Sequence, residues 1–320
     1  VSPTQVLSTN VIHLLVAATL RTTTPILLVA LGGTFTTMAG FFNIGLEGQM
    51  LLGAFFAVLG SIWTQSAWGG VAIGVLAAMC VALTFSIFVV TLRANEVVVG
   101  LALNILAGGL TITLTMAIFG TRGSIVSGDI VGLPRLRIPV IEDFGSLGKA
   151  LGSFTPLIYL AFIFVFVVWV IIYRTRLGLY IRVAGEKPAA AESLGIPTWL
   201  MQHIASLLCG LFAGLAGAHL SLGYITMFAE NMSSGRGFMA VAVLIFSAGD
   251  PVKVLFGCLL FGFADALSLR LQTFGLSSYL VLTVPYLVTL GALFLLTYRQ
   301  RPKIFRETAE SLQLIRREKA

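Results

Sequence analysis

Charged side chains are scarce in this sequence. Asp, Glu, Lys and Arg together make up 10% of its 320 residues, whereas hydrophobic residues make up 58%. Soluble domains carry roughly 25% charged residues, so this composition excludes a normal water-exposed surface. It predicts an integral membrane protein whose main surroundings are the lipid bilayer, with no nucleic acid as a partner.

Catalytic and metal-binding motifs are also missing. There is no His-Glu-x-x-His pattern, and the stretch most like a phosphate loop, Gly145 to Ala150, has the wrong glycine spacing and ends in Ala where Ser or Thr would bind magnesium. Cys80, Cys209 and Cys258 stand alone, without metal or disulfide spacing. We therefore expect a protein that is not an enzyme, binds no metal or cofactor and does not hydrolyse ATP by itself.

Long apolar runs predict an all-α, polytopic bundle that forms a single transmembrane domain over residues 1–320. A membrane-crossing helix needs roughly 20 apolar residues. The runs give about ten spans, at 6–20, 24–41, 43–63, 69–92, 97–119, 155–173, 200–222, 236–249, 252–270 and 276–297. The alternative is nine spans, or a first helix that lies in the membrane interface.

The distribution of positive charge predicts the orientation of these spans. Lys and Arg concentrate between Arg174 and Lys187 and again from Arg299 onward. Cytoplasmic loops carry such an excess, so we expect the segment 174–199, the tail 298–320 and both termini to be cytoplasmic. The polar loop 120–154 is then external.

A short pattern occurs twice. Gly33-x-Phe35-x-x-x-Ala39-Gly40 is repeated without gaps from Gly210 to Gly217. In the predicted topology these two spans run in opposite directions, as an inverted repeat of spans 2 to 5 and 7 to 10 requires. Inverted repeats are typical of transporters, which bind their substrates near the repeat interface.

The cytoplasmic segment 174–199 contains its own short helix. Pro188 opens it at the first helical position, Gly195 closes it after about two turns, and Pro197 prevents its continuation. Such a capped helix is suited to docking on a partner. The alternative is a surface loop whose alanines merely favour helix.

Few polar residues lie inside the predicted spans, where they are costly and often functional. Asn43, Glu47 and Gln49 stand at the start of the third span, Asn104 lies in the fifth, and Asp265 lies in the outer half of the ninth. We predict that these five line the substrate path. Alternatively, these residues have structural roles. Glu47 would stabilise the start of a helix, and Asn104 and Asp265 would bond to neighbouring helices.

Three stretches resemble one family of membrane proteins. The segments Phe42 to Ala54, Gly235 to Ala242 and Phe261 to Leu267 are similar to permease subunits of bacterial ABC importers for nucleosides. The wider group includes ribose and branched-chain amino-acid permeases, and the likeness runs from about Thr24 to Tyr298. Sugar permeases tend to carry Asp-Leu-Ser-Val-Gly where this chain has Asn43 to Gln49, which argues against simple sugars.

The resemblance implies a set of partners. A cytoplasmic ABC ATPase would hold ATP and magnesium, a second permease subunit of different sequence would complete the pore, and an extracytoplasmic substrate-binding lipoprotein would deliver substrate to the bacterial cytoplasmic (inner) membrane. The short cytoplasmic helix would be the coupling helix that docks on the ATPase. Its segment comprises Gly185, Glu186, Pro188, Ala189, Ala190, Ala191, Glu192, Ser193, Leu194, Gly195 and Ile196.

The function we predict is nucleoside transport by alternating access, driven by the separate ATPase. One alternative is a permease of the same group for simple sugars or branched-chain amino acids. A second is a secondary transporter that uses Asp265 and Glu47 as ion sites, and a third is a passive channel or a membrane enzyme. An enzyme would need its catalytic groups at one depth, whereas we expect Asp265 and Glu47 near opposite faces.

Overall fold

The computed structural model describes residues 9–137 and 152–272, together with the single residues 283, 287 and 291. The chain divides into two units, Val1–Ala266 and Leu267–Ala320. In the second unit the description covers the end of one helix, to Gln272, and the three single residues. The rest of the predicted span 276–297 and the whole tail 298–320 lie outside the described residues.

The described residues are mostly helical, as predicted. Two of the described helices, those that end at Ser86 and at Ala218, continue as π-helical turns at Ile87–Thr91 and His219–Tyr224. The helices are α1 Thr9–Met38, α2 Leu46–Thr64, α3 Ala67–Ser86, α4 Glu96–Phe119, α5 Pro156–Arg174, α6 Arg176–Glu186, α7 Pro188–Ser193, α8 Thr198–Ala218, α9 Arg236–Ser247 and α10 Pro251–Gln272.

Within the described ranges, four two-residue strands form two small antiparallel sheets at one end of the bundle. Strand β1, Ser124–Ile125, pairs with β4, Phe228–Ala229, and β2, Leu136–Arg137, pairs with β3, Ser153–Phe154. We call this the loop end. The opposite end, reached by α5 at Arg174 and followed by α6 and α7, is called the basic end.

Seven of the described helices are long and apolar enough to cross a membrane, so the chain is a multi-pass membrane protein. Five agree closely with predicted spans: Leu46–Thr64, Ala67–Thr91, Glu96–Phe119, Pro156–Arg174 and Pro251–Gln272. A sixth, Thr198–Tyr224, matches the prediction at 200–222. The seventh, His13–Met38, does not correspond to a single predicted span.

The two spans predicted at 6–20 and 24–41 are one continuous helix, α1. The two predicted spans are separated by the polar residues 21–23. In the structure the threonine hydroxyls of this run donate to carbonyl oxygens one turn earlier, from Thr22 to Ala18 and from Thr24 to Leu20. Hydroxyls that bond back to their own helix are satisfied without water, so this polar run lies within a helix and the prediction of two spans here is wrong.

Helix α9, predicted as a short span at 236–249, has 12 residues. At 1.5 Å per residue it is roughly 18 Å long, whereas the hydrocarbon core of a bilayer is about 30 Å thick. It therefore reaches only part of the way across. The predicted count of ten spans is not reached within the part of the chain that the structure describes.

Helices α1 and α8 run antiparallel. The Gln202 side chain donates to the Ala39 carbonyl oxygen at one end, and the rings of Phe35 and Phe212 stack with centroids 6.2 Å apart. The opposite directions predicted for the two copies of the glycine pattern are therefore observed. The inverted repeat itself stays a prediction.

Close glycine contacts hold α2, α3 and α8 together. A Cβ atom at Gly217 of α8 would overlap the backbone of Met50, Gly53 and Ala54 in α2. Small residues at such contacts let helices approach closely and pack well. Close packing matters in a membrane because lipid tails are as apolar as the side chains, so no hydrophobic effect drives the helices together. The position of α2 therefore depends on its close contact with α8 at Gly217.

We predict that Gly217→Ala destabilises the protein by about 1–3 kcal/mol, because the added methyl overpacks the α2–α8 contact. Thermal unfolding of the purified protein in detergent measures the change. Gly108→Ala is the matched control, since a Cβ there meets nothing within 4 Å and alanine favours helix. Equal stability of the two variants would contradict the packing argument.

Candidate functional site

The chain between α1 and α2 is not helical, and it enters the interior of the bundle. Asn43 in this segment is 3% exposed; its Nδ2 donates to Gln49 Oε1 at 3.2 Å and to Cys209 Sγ at 3.3 Å. Its Oδ1 accepts from the Gly45 N–H. Because Cys209 lies 11 residues into α8, or about 16 Å by helical rise, the Asn43 side chain reaches into the bundle beyond the start of α8. We call residues 39–45 the broken-helix segment.

Asn104 of α4 satisfies the backbone where this segment becomes α2. Its Oδ1 accepts from the Gly48 N–H at 2.8 Å, and its Nδ2 donates to the Ile44 carbonyl oxygen at 3.0 Å. A carboxamide suits this position since it is both donor and acceptor. Asn104 thus replaces two bonds that an unbroken helix would make within itself.

Glu47 binds the start of α9. Its carboxylate accepts from the Gly235 N–H at 2.8 Å and from the Gly237 N–H at 2.6 Å, and the residue is only 7% exposed. The first N–H groups of a helix lack partners inside it and carry a partial positive charge. A buried carboxylate at this point therefore satisfies two donors and is itself stabilised by the helix dipole.

Asp265 of α10 meets the same helix end. Its Oδ2 lies 3.4 Å from the Arg236 guanidinium, with the two side chains 18% and 19% exposed. Arg236 stands between the two glycines that Glu47 binds. The expectation that Glu47 and Asp265 lie near opposite faces is therefore wrong, because α2 begins inside the bundle and α9 is too short to separate them.

The structure thus brings the five predicted residues into one region around the broken-helix segment and the start of α9. Three of them are buried, Asn43, Glu47 and Gln49, whereas Asn104 and Asp265 are half-buried. Most of their polar atoms bond protein groups, and Gln49 Nε2 is buried without a hydrogen-bond partner. Sequence reasoning missed Arg236 and Cys209 as members. The pattern Gly235-Arg236-Gly237 before a short apolar run could have indicated Arg236, whereas nothing in the sequence singles out Cys209. The role of the five in a substrate path stays a prediction.

The predicted helix in the basic segment is confirmed as α7. Pro188 is its first residue, and Gly195 follows its end in the left-handed region at φ +77°. The Ile196 N–H donates to the Ala191 carbonyl oxygen and the Gly195 N–H to that of Glu192, which is the Schellman arrangement. The end of α7 is therefore fixed by its own backbone.

Two further contacts hold α7 and α6 to the bundle. The Thr198 hydroxyl donates to Glu192 Oε1 at 2.7 Å, and Ala191 is fully buried. In α6, a Cβ at Gly185 would overlap the backbone of Met38, Ala39 and Gly40. The other side of α7 is open, and the side chain of Leu194 is 75% exposed.

Broken helices that end in a buried polar network within a multi-pass bundle are characteristic of membrane transport proteins. Comparison with known proteins agrees. The family profile described as "branched-chain amino acid transport system / permease component" matches residues 15–295. The chain belongs to this family and is a permease subunit of an ABC transporter.

Three relatives cover most of the chain. It is 36% identical to a putative glucose ABC transporter permease protein of Haloferax volcanii, over 82% of this chain and 79% of that protein. It is 35% identical to the guanosine ABC transporter permease protein NupQ of Bacillus subtilis, over 89% and 92%. It is 30% identical to the nucleoside ABC transporter permease protein NupC of Lactococcus lactis, over 81% and 83%.

We predict that Glu47→Gln lowers the free energy of unfolding by about 2 kcal/mol, because the amide can accept from only one of the two N–H donors and is uncharged. Thermal or chemical unfolding in detergent measures it. The matched control is Glu96→Gln, which affects a single, exposed bond from the Phe42 N–H and should cost less than about 1 kcal/mol. Equal losses would show that Glu47 does not stabilise the start of α9.

Proposed function

We propose that this chain is the permease subunit of a bacterial ABC importer that carries nucleosides across the cytoplasmic membrane. ATP and magnesium would be bound by a separate ATPase at the basic end, which is then the cytoplasmic end. The observation that carries the proposal is α7, a helix fixed to the bundle on one side and open on the other. Alternating access would follow when the ATPase moves this helix.

The surface of α7 supports the coupling role. Pro188, Ala189 and Ala190 are exposed and uncharged, and Leu194 projects at the C-terminal end. An amphipathic helix binds a groove through its apolar side chains. Because the end of α7 is closed by backbone bonds and α6 packs directly on the end of α1, a force applied to α7 would reach the bundle without first unfolding the helix.

We predict that Leu194→Glu reduces ATP-dependent uptake by roughly tenfold or more, because it places a charge in the apolar centre of the ATPase contact. The measurements are uptake into proteoliposomes containing the complete transporter and co-purification of the ATPase. Leu92→Glu is the control, since Leu92 is also exposed, at 62%, but lies in the loop between α3 and α4. Full uptake and an intact complex with Leu194→Glu would overturn the coupling assignment.

Features of the loop end and of α4 support the assignment of the remaining partners. Pairing of β1 with β4 joins the predicted external loop to the stretch that follows α8, and the Gly123 N–H donates to Glu230 Oε1 across the junction. This single surface would receive the substrate-binding lipoprotein. A second permease subunit, of different sequence, would complete the pore, and the largely uncovered surface of α4 is available for that contact.

The polar interior supports a substrate that forms many hydrogen bonds. The broken-helix segment and the start of α9 place Asn43, Glu47, Gln49, Asn104 and Asp265 in one network, and a nucleoside offers donors and acceptors on both its base and its ribose. Two of the three relatives above are named for nucleosides or guanosine, and one for glucose. We therefore assign nucleosides ahead of simple sugars and branched-chain amino acids.

We predict that unlabelled guanosine or uridine in tenfold excess suppresses the uptake of labelled guanosine, and that glucose and leucine at the same excess do not, because only a nucleoside offers base and ribose together. Competition in proteoliposomes with the complete transporter measures this preference. If glucose suppressed the uptake and the nucleosides did not, the substrate would instead be a sugar. Uptake driven by an imposed ion gradient without the ATPase would instead favour a secondary transporter.

A further inference from the structure

A small cavity at the loop end is separate from the network around Glu47. It lies where α1, strand β3 and the start of α5 meet the π-helical end of α8, and its volume is about 50 Å³. Among the described residues its polar lining includes Arg21, Arg135, Thr155 and His219. These residues come from four separate parts of the chain, so the cavity forms only in the folded bundle.

Two of the lining side chains are buried without hydrogen bonds. His219 is 1% exposed and Thr155 is 5% exposed, yet neither ring nitrogen of His219 nor the Thr155 hydroxyl has a hydrogen-bond partner among the described residues. The backbone of Arg21 approaches the His219 ring, but no contact from the described part of the chain meets hydrogen-bond geometry at either ring nitrogen. Folded proteins seldom leave buried polar atoms unpaired. These atoms therefore indicate a ligand that accepts hydrogen bonds.

The described lining of the cavity includes two arginines and no carboxylate. The Arg21 guanidinium lies over the Phe154 ring, 5.3 Å from its centroid. Within the described ranges neither Arg21 nor Arg135 forms an ion pair, whereas Arg236 is paired with Asp265. Two guanidinium groups, together with a hydroxyl and an imidazole in the same lining, favour an anion and repel a cation.

The volume limits the size of the ligand. A water molecule needs roughly 10–15 Å³ of such space, so 50 Å³ admits a group of only a few non-hydrogen atoms. A nucleoside is far too large for this space. In this conformation the cavity therefore suits a small group and not a whole nucleoside.

We propose that this cavity binds one carboxylate-sized oxyanion, held by Arg21 and Arg135 and hydrogen-bonded by His219 and Thr155. The same chemistry can come from a small free anion or from an Asp or Glu side chain of a protein that docks at the loop end. In either case the anion ties α1, α5 and α8 together. Nothing in this assignment depends on which solute is transported.

The three histidines of the chain make a direct test practical. The complete transporter is purified with 13C-labelled histidine in this chain and titrated with sodium acetate at constant ionic strength, while the imidazole resonances are followed by NMR. His219→Gln identifies the resonance. We expect a saturable shift of the His219 signal alone, with Arg21→Gln and Arg135→Gln each weakening binding by about tenfold or more.

Arg122→Gln is the matched control, since it removes the same charge from an exposed position at the loop end outside the cavity. It should leave acetate binding unchanged. Because Arg135 is exposed, its substitution is not expected to disturb folding, so Arg135→Gln remains informative if Arg21→Gln does not fold. A shift unaffected by Arg135→Gln, or equal shifts of all three histidines, would overturn the site.

A second arm, which rests on the proposed function, replaces acetate with the purified substrate-binding protein. A shift of the His219 resonance that Arg135→Gln weakens would identify a side chain of that protein as the source of the anion. A response to acetate alone would identify a free anion, and no response in either arm would overturn the proposal. Since the acetate arm needs no transport, it remains valid even if nucleoside uptake fails.

Discussion

The interior of this protein is organised by one requirement: backbone N–H and C=O groups inside an apolar bundle must find partners within the protein. An unbroken helix meets the requirement by itself, but the chain is broken between α1 and α2 and again before α9. Glu47 and Asn104 supply the missing bonds at these two points. Their polarity is therefore first a condition of the fold, and any contact with a transported solute has to share or replace bonds already made.

Much of the architecture follows from the sequence because single residues decide local structure. Pro188 cannot continue a preceding helix and Gly195 readily adopts a positive φ, so the bounds of α7 were predictable to within one residue. Six helices agree with predicted spans since each is a long apolar run between polar loops. The five polar residues chosen for the site were also found close together, although the reason for their proximity was not foreseen.

What could not be predicted depends on contacts between distant parts of the chain. The polar run at Arg21 looked like a loop, but its threonines bond back to α1, and Thr22 also donates to the Gly262 carbonyl oxygen. The broken-helix segment looked like a loop at the membrane surface, yet Asn43 reaches Cys209 far into α8. Arg236 was read as the start of a span, whereas its charge is balanced by Asp265 of another helix. In each case a tertiary partner, invisible in the local sequence, determines the result.

The contact between α6 and the end of α1 has a mechanical consequence. Gly185 and Gly40 meet backbone against backbone, so no side chain lies between them that could bend or repack to absorb a displacement. A rigid rotation of α6 must therefore shift the end of α1 by a comparable distance. That end continues within a few residues into the segment carrying Asn43 and then Glu47. Because Glu47 binds the first N–H groups of α9, α6 and α9 are mechanically connected through this short segment, although they lie far apart in the sequence.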